Sequence, residues 1–156
     1  MTELEKIVLT AALTLLGGMM LFILSEFVRV LIVVPLQKYK EHVQVVFDRV
    51  DFYSNRLTNF FSANPDEQEL QLIRQISSEL RSAATQLNSK YAIISWRPLL
   101  IKLHIVPSAE ELQNAYGGLV FLSNNLPREG RASNDAIDPI MKNHDRIDEI
   151  KLALTP

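Results

Sequence analysis

The chain has 156 residues, a formal net charge of −2 at pH 7 and no cysteine. These values leave room for one membrane anchor and one small domain, and they exclude a disulfide-stabilised fold. Because there is no basic excess, we also predict that nucleic acid is not a partner.

The first predicted element is an apolar helix near the N-terminus. The run from Ile7 to Ser25 contains no charged residue. As a helix it would reach about 28 Å, close to the thickness of a hydrocarbon core. The acidic start MTELEK and the lack of an Ala-x-Ala site favour a membrane anchor over a cleaved signal peptide. A buried core helix is the remaining interpretation, and a run this long without charge argues against it.

The cations that flank this run predict its orientation. Lys6 stands alone on the N-terminal side, whereas Arg29, Lys38, Lys40 and Arg49 follow on the C-terminal side. Cytoplasmic flanks carry the excess of lysine and arginine. We therefore expect a single-pass protein of the cell inner membrane, with the N-terminus outside and the C-terminal domain in the cytoplasm.

Small residues recur on one side of the predicted span. Ala11, Thr14, Gly18 and Ser25 fall on one helix face, and such faces let helices pack closely in lipid. This pattern predicts helix–helix association in the membrane, although small residues also occur in such spans by chance. The expected partners are the lipid bilayer and either a second copy of the chain or another membrane protein.

A second apolar run, residues 30–34, follows Glu26 and Arg29 and ends at Pro35. Glu26 and Arg29 are three residues apart, so they share a helix face and can pair. Either the helix leaves the membrane near Glu26, or all of residues 7–36 is a tilted span with the pair buried inside it. Charges within a membrane are costly and indicate function. Whether the helix continues through Pro35 stays open at this point.

The rest of the chain shows helical periodicity. Residues 43–60 and 70–91 place apolar side chains at intervals of three and four, which predicts two amphipathic helices forming an antiparallel hairpin. Asn64 is the expected cap of the second helix, with Pro65 in its first turn. The fold class is therefore all-α: an anchor over residues 1–36 and a small bundle of three to five helices over residues 37–156.

The segment 92–106 is less regular, and we expect a short turn followed by a short helix from Pro98. It contains the only tryptophan, Trp96. This side chain could lie at the level of the lipid headgroups, with Arg97 and Lys102 beside anionic lipid. We favour the alternative, in which Trp96 fills the core of the bundle.

The C-terminal third contains clearer boundary signals. Ser108 and Glu111 form a predicted capping box that opens another long helix, and Gly117–Gly118 within it is a candidate for close helix approach. Residues 127–135 are predicted to be an exposed loop. A last helix is expected from about Pro139 to Leu154.

Acidic residues on the last helix are the only candidates for metal chemistry. The pairs His144–Asp148 and Asp145–Glu149 are each four residues apart, so one ion could bridge either pair. The interleaved cations, which are typical of a solvated, salt-bridged face, are Lys142, Arg146 and Lys151. We therefore predict no metal, no cofactor and no catalytic residue.

Three segments carry a resemblance: ELRSAA at residues 79–84, LHIVPSAE at 103–110 and GLVFLSNNL at 118–126. Together they resemble a set of uncharacterised bacterial single-pass membrane proteins with a cytoplasmic helical domain. In that set an E-L-R-x-x-A helix precedes an L-V-P-S-x-E turn and a G-L-S-N-S-L-like ending, from which Phe121 departs. The resemblance spans most of residues 40–126. It implies a bacterial inner-membrane origin and one helical domain, and it supplies no site residue.

These observations favour a membrane-anchored helical interaction or assembly protein without catalytic activity. It would self-associate or act as an accessory subunit of a membrane complex. One alternative is an oligomeric pore-forming or stress-responsive membrane effector, in which Glu26 and Arg29 line the oligomer. Another is a membrane-tethered metal-dependent hydrolase that uses the last helix.

Overall fold

The computed structural model describes residues 2–59, 61, 62, 64–126 and 137–155, with the side chains of 137–139 excepted. This part of the chain is helical and contains no strand, which confirms the all-α prediction. The predicted loop at 127–135 lies outside the described residues. The elements are α1 (Glu3–Val28), a π-helical turn (Arg29–Val33), α2 (Val34–Leu57), α3 (Glu67–Ala92), α4 (Arg97–Lys102), α5 (Ala109–Asn124) and α6 (Ile137–Leu154).

Helix α1, the π-helical turn and α2 form one continuous helix of 55 residues. Pro35 does not interrupt it, although proline has no N–H and its ring crowds the carbonyl group four residues earlier. The preceding π-helical turn gives a physical reason: the N–H of Val34 donates to the carbonyl oxygen of Arg29, five residues back. This wider turn leaves room for the proline ring.

Burial changes sharply along the 55-residue helix. No residue of α1 is buried, whereas Ile32 and Leu36 are half-buried and pack against the core formed by the other helices. Tyr39 is fully part of that core. One side of the second apolar run, which includes Ile32, thus packs on protein, whereas Val30 and Val33 are exposed. Among the described residues, one helix is long and apolar enough to cross a membrane, and its apolar portion is the part without buried residues.

Helices α2, α3, α5 and α6 pack as a four-helix bundle in which each contacts two neighbours. The rings of Tyr39 and Tyr91 meet edge to face at 5.7 Å, so the start of α2 lies beside the end of α3. Ser77 Oγ donates to the carbonyl oxygen of Ser123 at 2.8 Å, so α3 and α5 also run antiparallel. The fully buried side chains include Val46, Val50, Leu57, Ile76, Leu80, Leu87, Leu119, Leu122 and Ile150.

Helix caps explain where two of these helices begin. Ser108 and Glu111 form the predicted capping box, with Ser108 N–H donating to Glu111 Oε2 at 2.6 Å. The predicted cap Asn64 is wrong, because Asp66 occupies the cap position of α3 and accepts from the Glu69 N–H at 2.7 Å. Asp66 has the extended backbone that a cap requires, so Pro65 precedes the cap rather than following it.

The predicted core position of Trp96 is wrong, since 62% of this residue is exposed. Trp96 adopts the left-handed conformation, with φ 60° and ψ 25°, and immediately precedes α4. Ile94 and Leu100, on either side of it in sequence, are buried instead. Hydropathy alone could not distinguish the inward members of this apolar segment from the outward ones.

Candidate functional site: the exposed face of the N-terminal helix

The most unusual surface of the molecule is that of α1. A helix exposed over its whole circumference normally carries polar residues on at least one side. Here the exposed side chains are apolar all round, far beyond the few hundred Å² that a soluble monomer presents. They include Leu13, Leu15, Leu16, Met19, Met20, Phe22 and Phe27. Such a surface requires lipid or protein to cover it.

The small residues predicted to mediate association lie on this surface. On an ideal helix Ala11, Thr14, Gly18 and Ser25 fall within an arc of about 60°. All four are exposed, and a Cβ atom added to Gly18 would meet no atom within 4 Å. The backbone is therefore accessible to a neighbouring helix at this face.

The hydroxyl groups on the same face are already engaged within the helix. Thr14 Oγ1 donates to the carbonyl oxygen of Thr10 at 2.9 Å, and Ser25 Oγ donates to that of Phe22 at 2.8 Å. Their protons are consequently used locally, and what the face offers a partner is close backbone approach and two accepting oxygens.

Glu26 and Arg29 mark the end of α1 that faces the bundle. Arg29 Nη1 lies 3.3 Å from Glu26 Oε2, and both side chains are exposed. Half-burial of the long helix begins two residues later, at Leu31. The ion pair therefore separates the wholly apolar surface of α1 from the segment that packs on the bundle.

The acidic pairs of α6 are spread along an exposed face. His144 Nδ1 lies 3.3 Å from Asp148 Oδ2, Arg146 pairs with Glu149, and Lys151 Nζ lies 2.6 Å from Asp51 Oδ1 of α2. Within the described ranges there is no group of three or more His, Cys, Asp or Glu side chains that could hold a metal ion. Interleaved ion pairs of this kind are typical of a solvated helix face.

The segments that carry the resemblance meet at the α3–α5 contact. Arg81 Nε donates to Ser123 Oγ at 3.2 Å, and its guanidinium also reaches the side-chain oxygen of Asn124. Tyr91, at the end of α3, donates its hydroxyl proton to the carbonyl oxygen of Pro107 at 2.8 Å. These polar residues therefore position helices, and the sequence carried no signal that they would meet.

Sequence reasoning also missed Asn143, which is completely buried on α6. Its Nδ2 donates to the carbonyl oxygen of Leu57 at 2.7 Å and to that of Asn125 at 3.0 Å. Leu57 is the last residue of α2, and Asn125 directly follows α5. One amide nitrogen thus satisfies one carbonyl oxygen at the end of each of two helices, while Asn143 Oδ1 is buried without a hydrogen-bond partner.

A groove of about 200 Å³ lies where the start of α2 meets the end of α6, lined by Tyr39, Val43, Phe47, Ile105 and Leu154 among others. The Tyr39 hydroxyl is buried without a hydrogen-bond partner. Burial, and then the nearby Tyr91 and Glu111, raise the pKa of Tyr39, so its phenol stays neutral at physiological pH. The groove is therefore mostly apolar, with Lys40 and Gln44 among its lining residues.

Two regions thus stand apart from ordinary core packing: the apolar surface of α1 with its small-residue face, and the Glu26–Arg29 ion pair at the end of that surface.

The chain matches no protein-family model, no curated protein and no solved structure.

Proposed function

We propose that this protein is a membrane-anchored helical interaction or assembly protein without catalytic activity, which self-associates or serves as an accessory subunit. One observation carries the proposal. The 55-residue helix is apolar and without buried residues in α1, yet its continuation α2 forms one wall of the bundle. A bilayer around α1 would cover the surface that the rest of the chain leaves exposed.

The dimensions are compatible with a single span. Residues 7–25 match a hydrocarbon core of about 30 Å. Half-burial against the bundle begins at Leu31, six residues after Ser25, which corresponds to about 9 Å along the helix. The Glu26–Arg29 pair would then lie among the headgroups, where a charged pair is tolerated more easily than in hydrocarbon.

The charge distribution supports a cytoplasmic bundle. On the N-terminal side of the span, the 156-residue sequence has the single lysine Lys6. On the bundle side, Arg29, Lys38 and Lys40 follow the span closely. This asymmetry favours the N-terminus outside and the bundle in the cytoplasm of a bacterium, in agreement with the proposed inner-membrane origin.

Membrane placement can be tested with single cysteines because the chain has none of its own. We expect the protein to stay in the membrane fraction through an alkaline carbonate wash. A membrane-impermeant maleimide should label a Thr2→Cys variant in spheroplasts, and should label Ser78→Cys on the exposed side of α3 only after lysis. Release by carbonate would contradict the anchor, and the reverse labelling pattern would contradict the orientation alone.

Association through the small-residue face can be tested with adjacent glycines. Gly18→Leu places a bulky side chain on the face, whereas Gly17→Leu places it about 100° away on the same open helix. We expect Gly18→Leu to raise the dissociation constant of the complex at least about tenfold, because close packing worth about 1.4 kcal/mol is lost. The measurement is native mass in mild detergent.

Gly17→Leu serves as the control for added bulk and should leave the native mass unchanged. A second protein that co-purifies with the wild type and is lost only in Gly18→Leu would identify the accessory-subunit form. Equal native masses for the wild type and both variants would remove this face from the proposal.

A further inference from the structure

The connection between α3 and α5 carries four exposed apolar side chains that nothing in the described chain covers. They are Ile93, Trp96, Leu99 and Leu103, with between 46% and 62% of each residue exposed. We call them the α4 patch. The buried members of the same connection, Ile94, Leu100 and Val106, already close the core. The side chains of the α4 patch therefore do not contribute to the buried core of the bundle.

The α4 patch lies at the end of the bundle that faces α1. Tyr91, near the end of α3, packs on Tyr39, near the start of α2. The chain returns to this level at Pro107, whose carbonyl oxygen accepts from the Tyr91 hydroxyl. The intervening α4 therefore lies at the same end of the bundle as Ile32 and Leu36, which also pack against the core.

This position is close to where headgroups would lie around the proposed span. A headgroup layer extends about 5–8 Å beyond the hydrocarbon on each side. The segment 31–36, which packs at the same end of the bundle, begins about 9 Å beyond Ser25 along the helix, just outside such a layer. The α4 patch would therefore lie at the outer edge of the headgroups, within reach of its longer side chains.

The charges around the α4 patch suit an anionic lipid surface. Residues 92–107 contain Arg97, Lys102 and His104 and no acidic residue, and a nearby acidic group is Glu111, which lies close to His104 and Tyr91. The Arg97 guanidinium stacks over the Tyr91 ring, 5.6 Å from its centroid, at the rim of the patch. Tryptophan prefers the membrane–water interface, and each cation near anionic lipid adds to the attraction.

The backbone conformation of Trp96 also supports a role for the α4 patch outside the bundle. A left-handed conformation is uncommon for a bulky residue and costs about 1–3 kcal/mol. Here Trp96 is the N-cap residue of α4, and its carbonyl oxygen accepts from the N–H groups of Leu99 and Leu100 at 3.0 and 3.2 Å. The same conformation leaves the largest apolar side chain of the segment exposed, where it is available to a partner outside the chain.

We propose that the α4 patch inserts shallowly into the headgroup region of an anionic bilayer and docks the end of the bundle on the membrane that α1 crosses. The proposal rests on the membrane anchor proposed above. Trp96 and the aliphatic side chains enter the headgroup layer, while Arg97 and Lys102 contact lipid phosphates. The tether keeps the patch at the surface, so a small patch suffices.

Trp96 is the only tryptophan, so its intrinsic fluorescence reports on the patch directly. The full chain is reconstituted in phosphatidylcholine vesicles containing phosphatidylglycerol. We expect blue-shifted emission, severalfold weaker quenching by acrylamide than for a free tryptophan, and quenching by lipids brominated near the headgroup more than by lipids brominated deep in the chain. Leu99→Ser with Leu103→Ser should reverse all three.

A matched control moves the reporter to the other end of the bundle. Phe52 on α2 is 78% exposed and lies about 20 Å further along the helix than Tyr39. In the double variant Trp96→Phe with Phe52→Trp, emission should be unshifted, accessible to acrylamide and insensitive to brominated lipid.

Each remaining outcome overturns the proposal in a distinguishable way. A Trp96 open to acrylamide and unquenched by bromine, in protein that stays with carbonate-washed vesicles, rejects the lipid contact while the anchor stands. Protection from acrylamide without bromine quenching would assign the α4 patch to a second copy of the chain. Protein that does not remain in the vesicles at all refutes the anchor itself.

Discussion

Replacing Asn143 by leucine is expected to lower the free energy of unfolding by about 1–3 kcal/mol. The substitution introduces an apolar side chain of similar size and leaves the carbonyl oxygens of Leu57 and Asn125 without their donor. A buried acceptor without a partner costs about 1–3 kcal/mol, and removal of Asn143 Oδ1, which is itself buried without a partner, offsets part of the loss. The measurement is urea unfolding of the full chain in mild detergent, followed by circular dichroism.

The control for this substitution is Asn88→Leu, at an exposed position in the interior of α3. It changes the same residue type in the same way and should leave stability within about 0.5 kcal/mol of the wild type. Equal effects of the two substitutions would show that the buried amide does not hold the ends of α2 and α5.

Gly118→Ala is expected to destabilise the protein by about 1–3 kcal/mol, because a Cβ atom there overpacks the α5–α6 contact. That atom would lie 2.7 Å from Ile150 Cγ1 and 3.0 Å from Ile150 Cδ1. Ile150 is completely buried and has little room to move. Unfolding by heat or urea measures the effect.

The neighbouring glycine supplies the opposite expectation. A Cβ atom at Gly117 meets nothing within 4 Å, so Gly117→Ala should raise stability by about 0.5–1 kcal/mol through helix propensity alone. In an Ile150→Ala background the cost of Gly118→Ala should fall to near zero. A cost that persists there would place its origin elsewhere than the Ile150 contact.

Local signals in the sequence predicted much of this fold. The uncharged run, the apolar spacing of α2 and α3, and the Ser108–Glu111 box each act within a few residues of one another, so they can be read without the tertiary structure. The glycine pair was recognised as a possible close approach, but only Gly118 makes one. Which of two adjacent glycines faces α6 depends on the rotation of α5, which the pair itself does not encode.

The features that the sequence did not reveal depend on distant partners. Asn143 is buried because two helix ends, at Leu57 and Asn125, converge on it. Trp96 is exposed because one left-handed residue redirects an apolar segment. Asn64 and Asp66 are both good capping residues, and the sequence alone does not show after which of them the first helical turn begins.

The predicted association face of α1 differs from these features, because any partner of that face would be a separate molecule. The structure places Ala11, Thr14, Gly18 and Ser25 on an open surface and places Glu26 beside Arg29. Association through the first set, and the depth of the second in a bilayer, stay predictions. Both concern contacts with other molecules, which the fold of the chain alone does not determine.

The absence of a joint between α1 and α2 has a mechanical consequence. A helix of 55 residues is a shaft of about 80 Å, and no loop along it can absorb rotation. Turning or tilting α1 would therefore act as a lever on the bundle, swinging its far end through a larger arc than the end beside Leu31. A protein that binds one end of this helix and rotates it would therefore transmit the rotation to the other end. The wider turn before Pro35 would be the point along the helix that bends most easily.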